Sequence, residues 1–325
     1  MRKKSTASMA AVVALAGILM PVTGPAAAKD VNRVVMATGA ITSGYYLLGG
    51  GICAQVNAAG TGALRCAIET SKGTVANLQA LKAGQVDLAL AQSDWQHHAH
   101  AGSVSPFTGD NASKDMRALM SLTGSPLVVL GRADAGINEL EALAGKRVDI
   151  GKTGTARRAA MDDVLAALGW DLGKFKLASE LTEAEAIKSV CAGKLDALAL
   201  AGISPDKDVK QALSSCAMKI VPVKGAVVDK LLTDRPYYSA VPIAKGSYPG
   251  VTADVPSVGL RVILLASASV TEKDAYAIVK TVAGNLDAVR KLHSSFASIN
   301  RSGLAKAGIS VPLHEGAAKY YREAR

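Results

Sequence analysis

The sequence predicts an α/β fold of two lobes, each built on a largely parallel sheet with helices on both faces. Short β-rich runs alternate with helical runs over residues 31–91, and the alternation returns over residues 147–201. This order is typical of parallel strands joined by helical crossovers. Residues 116–132 and 256–268 are apolar enough to form two buried strands that pass between the lobes.

The predicted elements follow the same order in both series. In the first series, strands are expected at residues 31–36, 65–69 and 86–91, with one helix after residues 38–51 and another at residues 73–83. In the second series, strands are expected at residues 147–150, 176–178 and 197–201, with helices at residues 155–168 and 183–192. Without the first 28 residues, which carry the targeting pattern described below, 297 residues remain, enough for one large domain or for two of about 150, and we favour two lobes. We expect the first lobe at residues 29–130 and 244–325, and the second lobe at residues 131–243.

Loops rich in glycine and hydroxyl residues follow several of the predicted strands. The first is TGAITSGYYLLGGG at residues 38–51, and residues 69–74 and 151–155 hold the same position after later strands. The start of a helix presents unpaired N–H groups and a positive dipole end, which favour an anion. Ligands of open α/β sheets lie beyond the carboxyl ends of the strands. We therefore expect these loops to line one anion-binding cleft, with an ordinary connecting turn as the alternative for each.

Two further segments add candidate side chains to this cleft. The helix after residues 151–155 carries Arg158, and a guanidinium can hold a carboxylate through two hydrogen bonds. The sequence QSDW at residues 92–95 follows the third predicted strand, so its amide and hydroxyl can reach the crevice beside an apolar indole wall. Plain packing of Trp95 and helix capping by Asp94 are the alternatives.

Three histidines follow directly and suggest a metal site. His97 and His100 are three residues apart, which places them on one face of a helix. A zinc site requires a further ligand, and no nearby residue clearly supplies it. We therefore favour an exposed histidine-rich helix, in which His98 also has no assigned role.

The N-terminus has the pattern of a secretory signal peptide. Basic residues at positions 2–4 precede an apolar run at residues 9–20, and Ala26, Ala27 and Ala28 precede Lys29. The apolar run is too short for a stable membrane anchor. We expect cleavage after Ala28 and a mature protein in the periplasm.

The composition argues against a nucleic-acid partner. The net charge of +10 is spread along the chain, and aromatic residues make up only 4% of it, whereas nucleic-acid binding favours a basic stripe with interleaved aromatics. A mild positive field suits a small acidic ligand better.

The four cysteines form an even set in a chain expected to be exported, which indicates disulfides. Four cysteines permit three connectivities. We favour Cys53–Cys66 and Cys191–Cys216, because each pair closes a short loop from a helix to the following strand. Each bridge would then cross-link one lobe. A zinc site is less favoured because no C-x-x-C or Cys/His spacing supports it.

Enzyme chemistry has little support in the sequence. Neither a G-x-S-x-G elbow nor an H-E-x-x-H motif occurs, and the first loop lacks the G-x-G-x-x-G phosphate fingerprint. No free thiol remains if all four cysteines are paired. We expect a non-enzyme with no cofactor and no metal.

These motifs together resemble the TAXI-type substrate-binding proteins of tripartite ATP-independent periplasmic (TRAP) transporters. The resemblance rests on TGAITSGYYLLGGGIC, RCAIETSKGTVANL, DLALAQSDW and GKRVDIGKTGTARRAAMDDVL. It continues through PYYSAVPIAKGSYPGVTADVPSVG and NLDAVRKLH to VPLHEGAAKYYREAR, so it spans nearly the whole chain after the predicted signal peptide. It implies a bilobed, type II-like periplasmic binding protein fold that closes around a ligand. The two local cysteine pairs also resemble those of a subset of this family.

The resemblance can be carried over residue by residue. The family's first loop is matched by Thr38, Gly39, Thr42, Tyr45 and Tyr46, its second by Gly73 and Thr74, and its third by Gln92, Ser93 and Asp94. The second-lobe loop is matched by Gly151, Gly154 and Arg158, with Thr155 in place of a family serine.

The chain departs from the family pattern at several of these positions. Leu47 stands where the family often has proline, Lys72 where it often has glycine, and Lys152 and Thr153 where Asn-Pro is common. The two lysines would either admit a more acidic ligand or point to solvent, and we favour solvent.

The expected ligand-binding residues are mainly hydroxyl-bearing or aromatic. They are Thr38, Thr42, Ser43, Tyr45, Tyr46, Thr70, Ser71, Gln92, Ser93, Thr153, Thr155 and Arg158. The resemblance implies a small carboxylate ligand such as glutamate, glutamine or 2-oxoglutarate, delivered to TRAP permease subunits in the membrane. We expect the protein to be monomeric. The alternatives are a periplasmic sensor that reports to a membrane receptor kinase, and a secreted enzyme.

Overall fold

Strands and helices alternate through residues 31–59 and 64–324, which are the residues that this computed structural model describes. The strands are β1 (Asn32–Ala37), β2 (Leu64–Glu69), β3 (Leu88–Gln92), β4 (Met116–Arg132), β5 (Arg147–Asp149), β6 (Leu177–Ser179), β7 (Ala197–Ala201), β8 (Met218–Val221), β9 (Ser239–Ala240) and β10 (Val258–Ser267). The helices are α1 (Gly44–Ala58), α2 (Thr74–Lys82), α3 (Ser93–Ala101), α4 (Ala156–Leu168), α5 (Glu183–Cys191), α6 (Lys207–Ser215), α7 (Ala226–Asp234), α8 (Glu272–Gly284), α9 (Leu286–Arg290) and α10 (Glu315–Glu323). The predicted signal peptide lies outside the described residues.

Every strand and helix predicted in the two series is present, and apart from α1 their ends differ by no more than two residues. Helix α1 begins at Gly44, inside the residues 38–51 that were expected to form the loop before it. The starts of α2 and α4 move by one residue because the residue before each is its cap. Thr155 has an extended backbone, and its hydroxyl accepts a hydrogen bond from the backbone N–H of Arg158. Gly73 has a φ of +105°, which favours glycine before the first turn of α2.

The strands join in a sheet of order β2-β1-β3-β10-β4-β7-β5-β6, with β8 beside β4 and β9 beside β10. Strand β1 is parallel to β2 and β3, and β5 is parallel to β6 and β7. The two long strands between these sets, β4 and β10, are antiparallel to their neighbours. The sheet is therefore mixed, with a parallel set of three strands in each lobe.

Strand β4 carries the chain from one lobe to the other. Its first part pairs with β10 as far as Pro126, and residues 127–131 pair with β7. The side chains of β4 pack in different cores on the two sides of this point. Leu119 and Leu122 belong to a first-lobe core, and Leu127 and Val129 belong to a second-lobe core. The prediction of a buried crossing strand at residues 116–132 is confirmed.

Strand β10 makes the return crossing. Leu260 packs in the second-lobe core with Leu127, whereas Val262 and Leu264 pack in the first-lobe core with Leu119. Each lobe has a second core on the other face of its sheet, one around Leu78 and Ile263 and one around Ile187 and Leu198. Helices therefore cover both faces of both sets of strands, and the bilobed α/β prediction is confirmed. The domain boundaries stay a prediction.

Both favoured disulfides are present. Cys53 of α1 is bonded to Cys66 of β2, and Cys191 at the end of α5 is bonded to Cys216. The first bridge joins a helix to the following strand, as expected. The second differs from the expectation, because Cys216 directly follows α6 as its C-cap, so the bridge joins the C-terminal ends of two neighbouring helices.

Strand β10 lies so close to its paired strand β4 that no side chain fits at Gly259. A Cβ atom placed there would overlap the carbonyl oxygen of Ser125 and would lie 2.8 Å from the Cα atom of Pro126. Because both neighbours are backbone, the strands would have to separate to accept a methyl group.

We therefore expect Gly259→Ala to lower the free energy of unfolding by about 1–3 kcal/mol, the usual cost of overpacking a core. Urea denaturation followed by circular dichroism measures it. Gly284→Ala is the matched control, because a Cβ atom at this helix end meets no heavy atom within 4 Å. Equal stabilities of the two variants would show that the crossing is not close-packed.

Candidate ligand-binding site

A buried ion pair between Asp149 and Arg157 organises the strand ends of the second lobe. Nη1 of Arg157 lies 2.7 Å from Oδ1 of Asp149, and the two side chains are 2% and 0% exposed. The Asp149 carboxylate also accepts hydrogen bonds from the N–H groups of Gly151 and Leu181 and from the Ser179 hydroxyl. The loops after β5 and β6 are thereby held to one carboxylate.

The guanidinium of Arg157 extends this network to β7 and to the chain before α5. Nη1 donates to the carbonyl oxygen of Ala199 at 3.0 Å, and Nη2 donates to the carbonyl oxygen of Leu181. Nε lies 3.2 Å from the Glu183 carboxylate. Because the buried charges are paired and hydrogen-bonded, the ends of β5 and β6 and the middle of β7 are fixed relative to α4.

Asn77 has the corresponding position in the first lobe. It is fully buried in the first turn of α2, and its Nδ2 donates to the carbonyl oxygens of Thr38 at 2.6 Å and Leu90 at 2.7 Å. The Thr38 hydroxyl in turn donates to the carbonyl oxygen of Glu69. One amide side chain thus links the residue after β1 and the middle of β3 to the helix that starts between these strands in sequence.

These two frameworks place loops of both lobes around one cavity of about 370 Å³, here called the Arg158 cavity. Its first-lobe wall comes from the end of β3 and from α3, and its second-lobe wall from the start of α4. The lining residues are Gln92, Asp94, Trp95, His98, Val104, Thr153, Gly154, Thr155, Ala156, Arg158, Ala159 and Asp162. The volume suits a small organic ligand.

In the first turn of α4, the side chain of Arg158 is held by the carboxylates of Asp162 and Glu180. Nε donates to Asp162 at 2.8 Å, and Nη1 lies 2.5 Å from Oε1 of Glu180 and 3.3 Å from the Thr153 hydroxyl. These contacts raise the pKa of Arg158, first through Asp162, and lower the pKa of Glu180, first through its hydrogen bond from Thr153. Among the described residues, Nη2 of Arg158 has no hydrogen-bond partner, so part of the guanidinium remains available to a ligand.

Asp94 faces Arg158 from the first-lobe wall of the cavity. Its Oδ1 accepts the N–H of Trp95 at 2.7 Å, and no cation of the described chain pairs with its carboxylate. Burial raises the pKa of Asp94 to about 6, despite the N–H of Trp95, and the nearby Asp163 raises it further. The cavity therefore presents a cationic group on one wall and a poorly solvated carboxyl group on the other.

The first loop lies at a different cavity, of about 560 Å³, here called the Tyr46 cavity. Its walls are Ile41, Thr42, Ser43, Gly44, Tyr46, Leu47, Ile203, His293, Ser295 and Phe296. Tyr45 links the two regions, because its hydroxyl lies 3.5 Å from Oγ1 of Thr74, which accepts the N–H of Gln92. Burial raises the pKa of Tyr45 to about 12.

The predicted binding residues divide accordingly. Gln92, Thr153, Thr155 and Arg158 meet at the Arg158 cavity, and Thr42, Ser43 and Tyr46 line the Tyr46 cavity. The structure therefore does not bring all the predicted loops to one cavity.

The remaining predicted residues line neither cavity. Thr38 and Ser93 are fully buried, and the Ser93 hydroxyl donates to the carbonyl oxygen of Tyr237. Ser71 accepts the N–H of Gly73 before α2, and Thr70 is exposed. Their assignment to a ligand stays a prediction.

Two of the three histidines of α3 pack against Tyr237, which lies between α7 and β9. The rings of His97 and His98 lie 5.1 and 5.4 Å from the ring of Tyr237. The three histidines are half-buried, whereas the sequence suggested an exposed helix. Tyr237 covers His97 and His98. Within residues 31–59 and 64–324, no group of three or more His, Cys, Asp or Glu side chains is placed to hold a metal ion.

Several residues of the site were missed from the sequence. Asp162 and His98 line the Arg158 cavity, and Asp163 accepts hydrogen bonds from Arg235 and from the Tyr238 hydroxyl. The helical spacing of Arg158 and Asp162, four residues apart, was the one available signal. The long-range contacts of Asp163 have no local pattern.

Solved structures with the same architecture are bilobed solute-binding proteins. A TctC solute-binding protein from Polaromonas superposes with a TM-score of 0.57 at 17% sequence identity, covering 90% of this chain and 94% of that chain. A putative periplasmic sulfonate-binding protein, SsuA, from Methylobacillus flagellatus KT superposes with a TM-score of 0.50 at 13% identity, covering 91% and 86% of the two chains. These likenesses show that the fold is that of a bilobed periplasmic solute-binding protein.

The family is shown by sequence. Residues 36–324 match the model of the NMT1-like family, and the chain belongs to this family. A TRAP-type solute-binding protein fits this result, while membership of the TAXI group stays a prediction. In the part of the chain that the structure describes, helices are all too short or too polar to cross a membrane.

The raised pKa of Asp94 leads to a pH-dependent prediction. An acid whose pKa is higher in the folded state adds stability below its unfolded pKa, and this stability is lost as the pH rises through about 6. Asp94→Asn should therefore raise the free energy of unfolding at pH 7, by about 3 kcal/mol at most for a shift of this size. The difference should vanish below about pH 4, where both side chains are neutral.

Thermal unfolding at a series of pH values measures this difference. Asp110→Asn is the control, because the Asp110 side chain is exposed. A constant difference between wild type and Asp94→Asn from pH 4 to pH 7 would contradict the prediction.

Proposed function

We propose that this chain is an extracytoplasmic solute-binding protein that captures a small carboxylate in the Arg158 cavity and delivers it to a TRAP permease. The observation that carries the proposal is the cavity itself, which is lined by strand-end loops of both lobes and contains an arginine with an unpaired nitrogen. Glutamate, glutamine and 2-oxoglutarate are the ligands that the sequence resemblance implies. The protein acts as a monomer and catalyses no reaction.

The carboxylate would bind at the start of α4. The first N–H groups of a helix have no partner within the helix, and Arg158 lies in the first turn with its side chain at the cavity. Gln92 and Trp95 on the opposite wall would supply an amide and an apolar surface. A ligand held by both walls binds the closed arrangement of the lobes more tightly than the open one, which is what a permease can recognise.

Export is supported by the two disulfides, since such bridges persist in oxidising compartments. The resemblance to TRAP-associated proteins, which spans both lobes, supports a permease partner. The periplasm is the compartment that a cleaved signal peptide and this partner require.

A thermal-shift screen tests the ligand class. The melting temperature of the exported protein should rise with L-glutamate, L-glutamine or 2-oxoglutarate, and the rise should grow with ligand concentration because only the folded state binds. Putrescine, which lacks a carboxylate, is the control and should give no rise. Absence of a shift with every carboxylate would refute the proposed ligand class.

The second test addresses the cavity. Arg158→Ala should weaken binding of the best carboxylate by more than tenfold, because a charge-assisted pair of hydrogen bonds is lost. Isothermal titration calorimetry measures the affinity, with Arg322→Ala as a control at an exposed arginine of α10. An unchanged affinity in Arg158→Ala would remove this cavity from the proposal.

A further inference from the structure

The charged side chains at the Arg158 cavity are mostly acidic. Asp94 and Asp162 line it, and the carboxylate of Glu180 lies 2.5 Å from Nη1 of Arg158. Arg158 is the only arginine or lysine among the described residues that line the cavity. His98 also lines it, but burial lowers the pKa of this ring, which is therefore neutral at pH 7. Three carboxylates thus surround one cation, and a ligand with negative charge alone would add to the imbalance.

The two lysines of the cleft loops do not correct this imbalance. Lys72 stands in the loop before α2 and Lys152 in the loop before α4. Both are exposed, and neither lines the cavity. Within the described chain, Arg158 therefore binds a ligand carboxylate without the help of a second cationic side chain.

Asp94 is the carboxylate of this group that lacks a cationic partner. Asp162 and Glu180 are both paired with Arg158. Asp94 instead accepts a hydrogen bond at Oδ1 from the N–H of Trp95, and its Oδ2 accepts none from another residue of the described chain. Burial raises the pKa of Asp94, and an ammonium group beside this carboxylate would lower that pKa again.

We propose that the ligand of the Arg158 cavity is an amino acid with an uncharged side chain, whose ammonium group pairs with Asp94 and whose carboxylate binds Nη2 of Arg158. This inference rests on the proposed function and narrows its ligand class. Asp94 lies on α3 in the first-lobe wall, and Arg158 lies on α4 in the second-lobe wall. Each charged group of the ligand then has one partner of opposite charge, and the two partners come from different lobes.

The other walls of the cavity suit an uncharged side chain. The apolar lining residues are Trp95, Val104, Ala156 and Ala159, and Gln92 supplies an amide. A second carboxylate, as in glutamate or 2-oxoglutarate, would find no second cation among the described lining residues, and an unpaired charge is costly to desolvate. Of the three ligands named above, glutamine alone has both an ammonium group and a neutral side chain. Its amide can exchange hydrogen bonds with Gln92.

Isothermal titration calorimetry of the full exported protein with matched ligands tests the ammonium pair. The two main probes are L-glutamine and glutaramate, which is glutamine without its ammonium group. Wild type should bind L-glutamine about tenfold more tightly than glutaramate, or better, because glutaramate cannot form the charge-assisted hydrogen bond to Asp94. L-glutamate and 2-oxoglutarate should both bind more weakly than L-glutamine.

Asp94→Asn tests the residue. This variant should bind L-glutamine about tenfold more weakly than wild type, or worse, because the ammonium group loses its carboxylate partner. Its affinity for glutaramate should not fall, since glutaramate never used that partner. Asp110→Asn, which removes an exposed carboxylate that does not line the cavity, is the matched control and should bind both probes as wild type does.

The outcomes separate this inference from the proposed function. Equal affinities of wild type for L-glutamine and glutaramate would refute the ammonium pair and leave the carboxylate site standing. An unchanged preference for L-glutamine in Asp94→Asn would refute the role of Asp94. If this variant does not fold, as judged by circular dichroism, the comparison of the two probes on wild type decides the matter.

The remaining two probes test the side chain. Tighter binding of L-glutamate or 2-oxoglutarate than of L-glutamine would refute the uncharged side chain. Binding of none of the four probes would refute the proposed function and this inference together.

Discussion

The ion pair between Asp149 and Arg157 is the contact on which the second-lobe wall of the cleft depends. Two fully desolvated charges stabilise a fold only when their remaining hydrogen-bonding groups are largely satisfied, and here the partners are backbone and hydroxyl groups at or just after the ends of β5 and β6 and in the middle of β7. Removing one partner would leave an uncompensated buried charge, at a typical cost of about 3–5 kcal/mol. Because α4 begins at this pair, the direction of its first turn, and hence the position of Arg158, follows from it.

In the first lobe a neutral side chain, that of Asn77, holds strands and helix together in the corresponding position. Asn77 connects carbonyl oxygens of two strands, just after β1 and in the middle of β3, to the first turn of α2, as Arg157 connects β5 and β7 to α4. An amide has a smaller desolvation cost than an ion pair but also fewer donors, so it joins two strands where the ion pair joins three. The two walls of the cleft therefore rest on similar geometry and different chemistry, which agrees with lobes that are similar in order but unrelated in sequence.

The order of elements could be read from the sequence because strand and helix periodicities are local properties. The crossing strand β4 was placed at its observed ends because a largely apolar stretch of 17 residues has few alternatives in a two-lobed protein. The division of the loops between two cavities was not predictable, since it depends on how the lobes face each other. Ser93 illustrates the limit. Its hydroxyl donates to the carbonyl oxygen of Tyr237 and accepts the backbone N–H of Arg261, and these partners lie 144 and 168 residues away in sequence.

Adjacent arginines on α4 have opposite roles because they differ in solvation. Arg157 is bound to carboxylate and carbonyl groups inside the lobe, so exchange of its partners would expose buried charge. Arg158 is paired with Asp162 and Glu180, whose side chains are 51% and 42% exposed. Exposed ion pairs contribute little stability, so a ligand carboxylate can displace these partners into water at small cost. The local charge around Arg158, and not the net positive charge of the chain, is therefore what a ligand of this cavity must match.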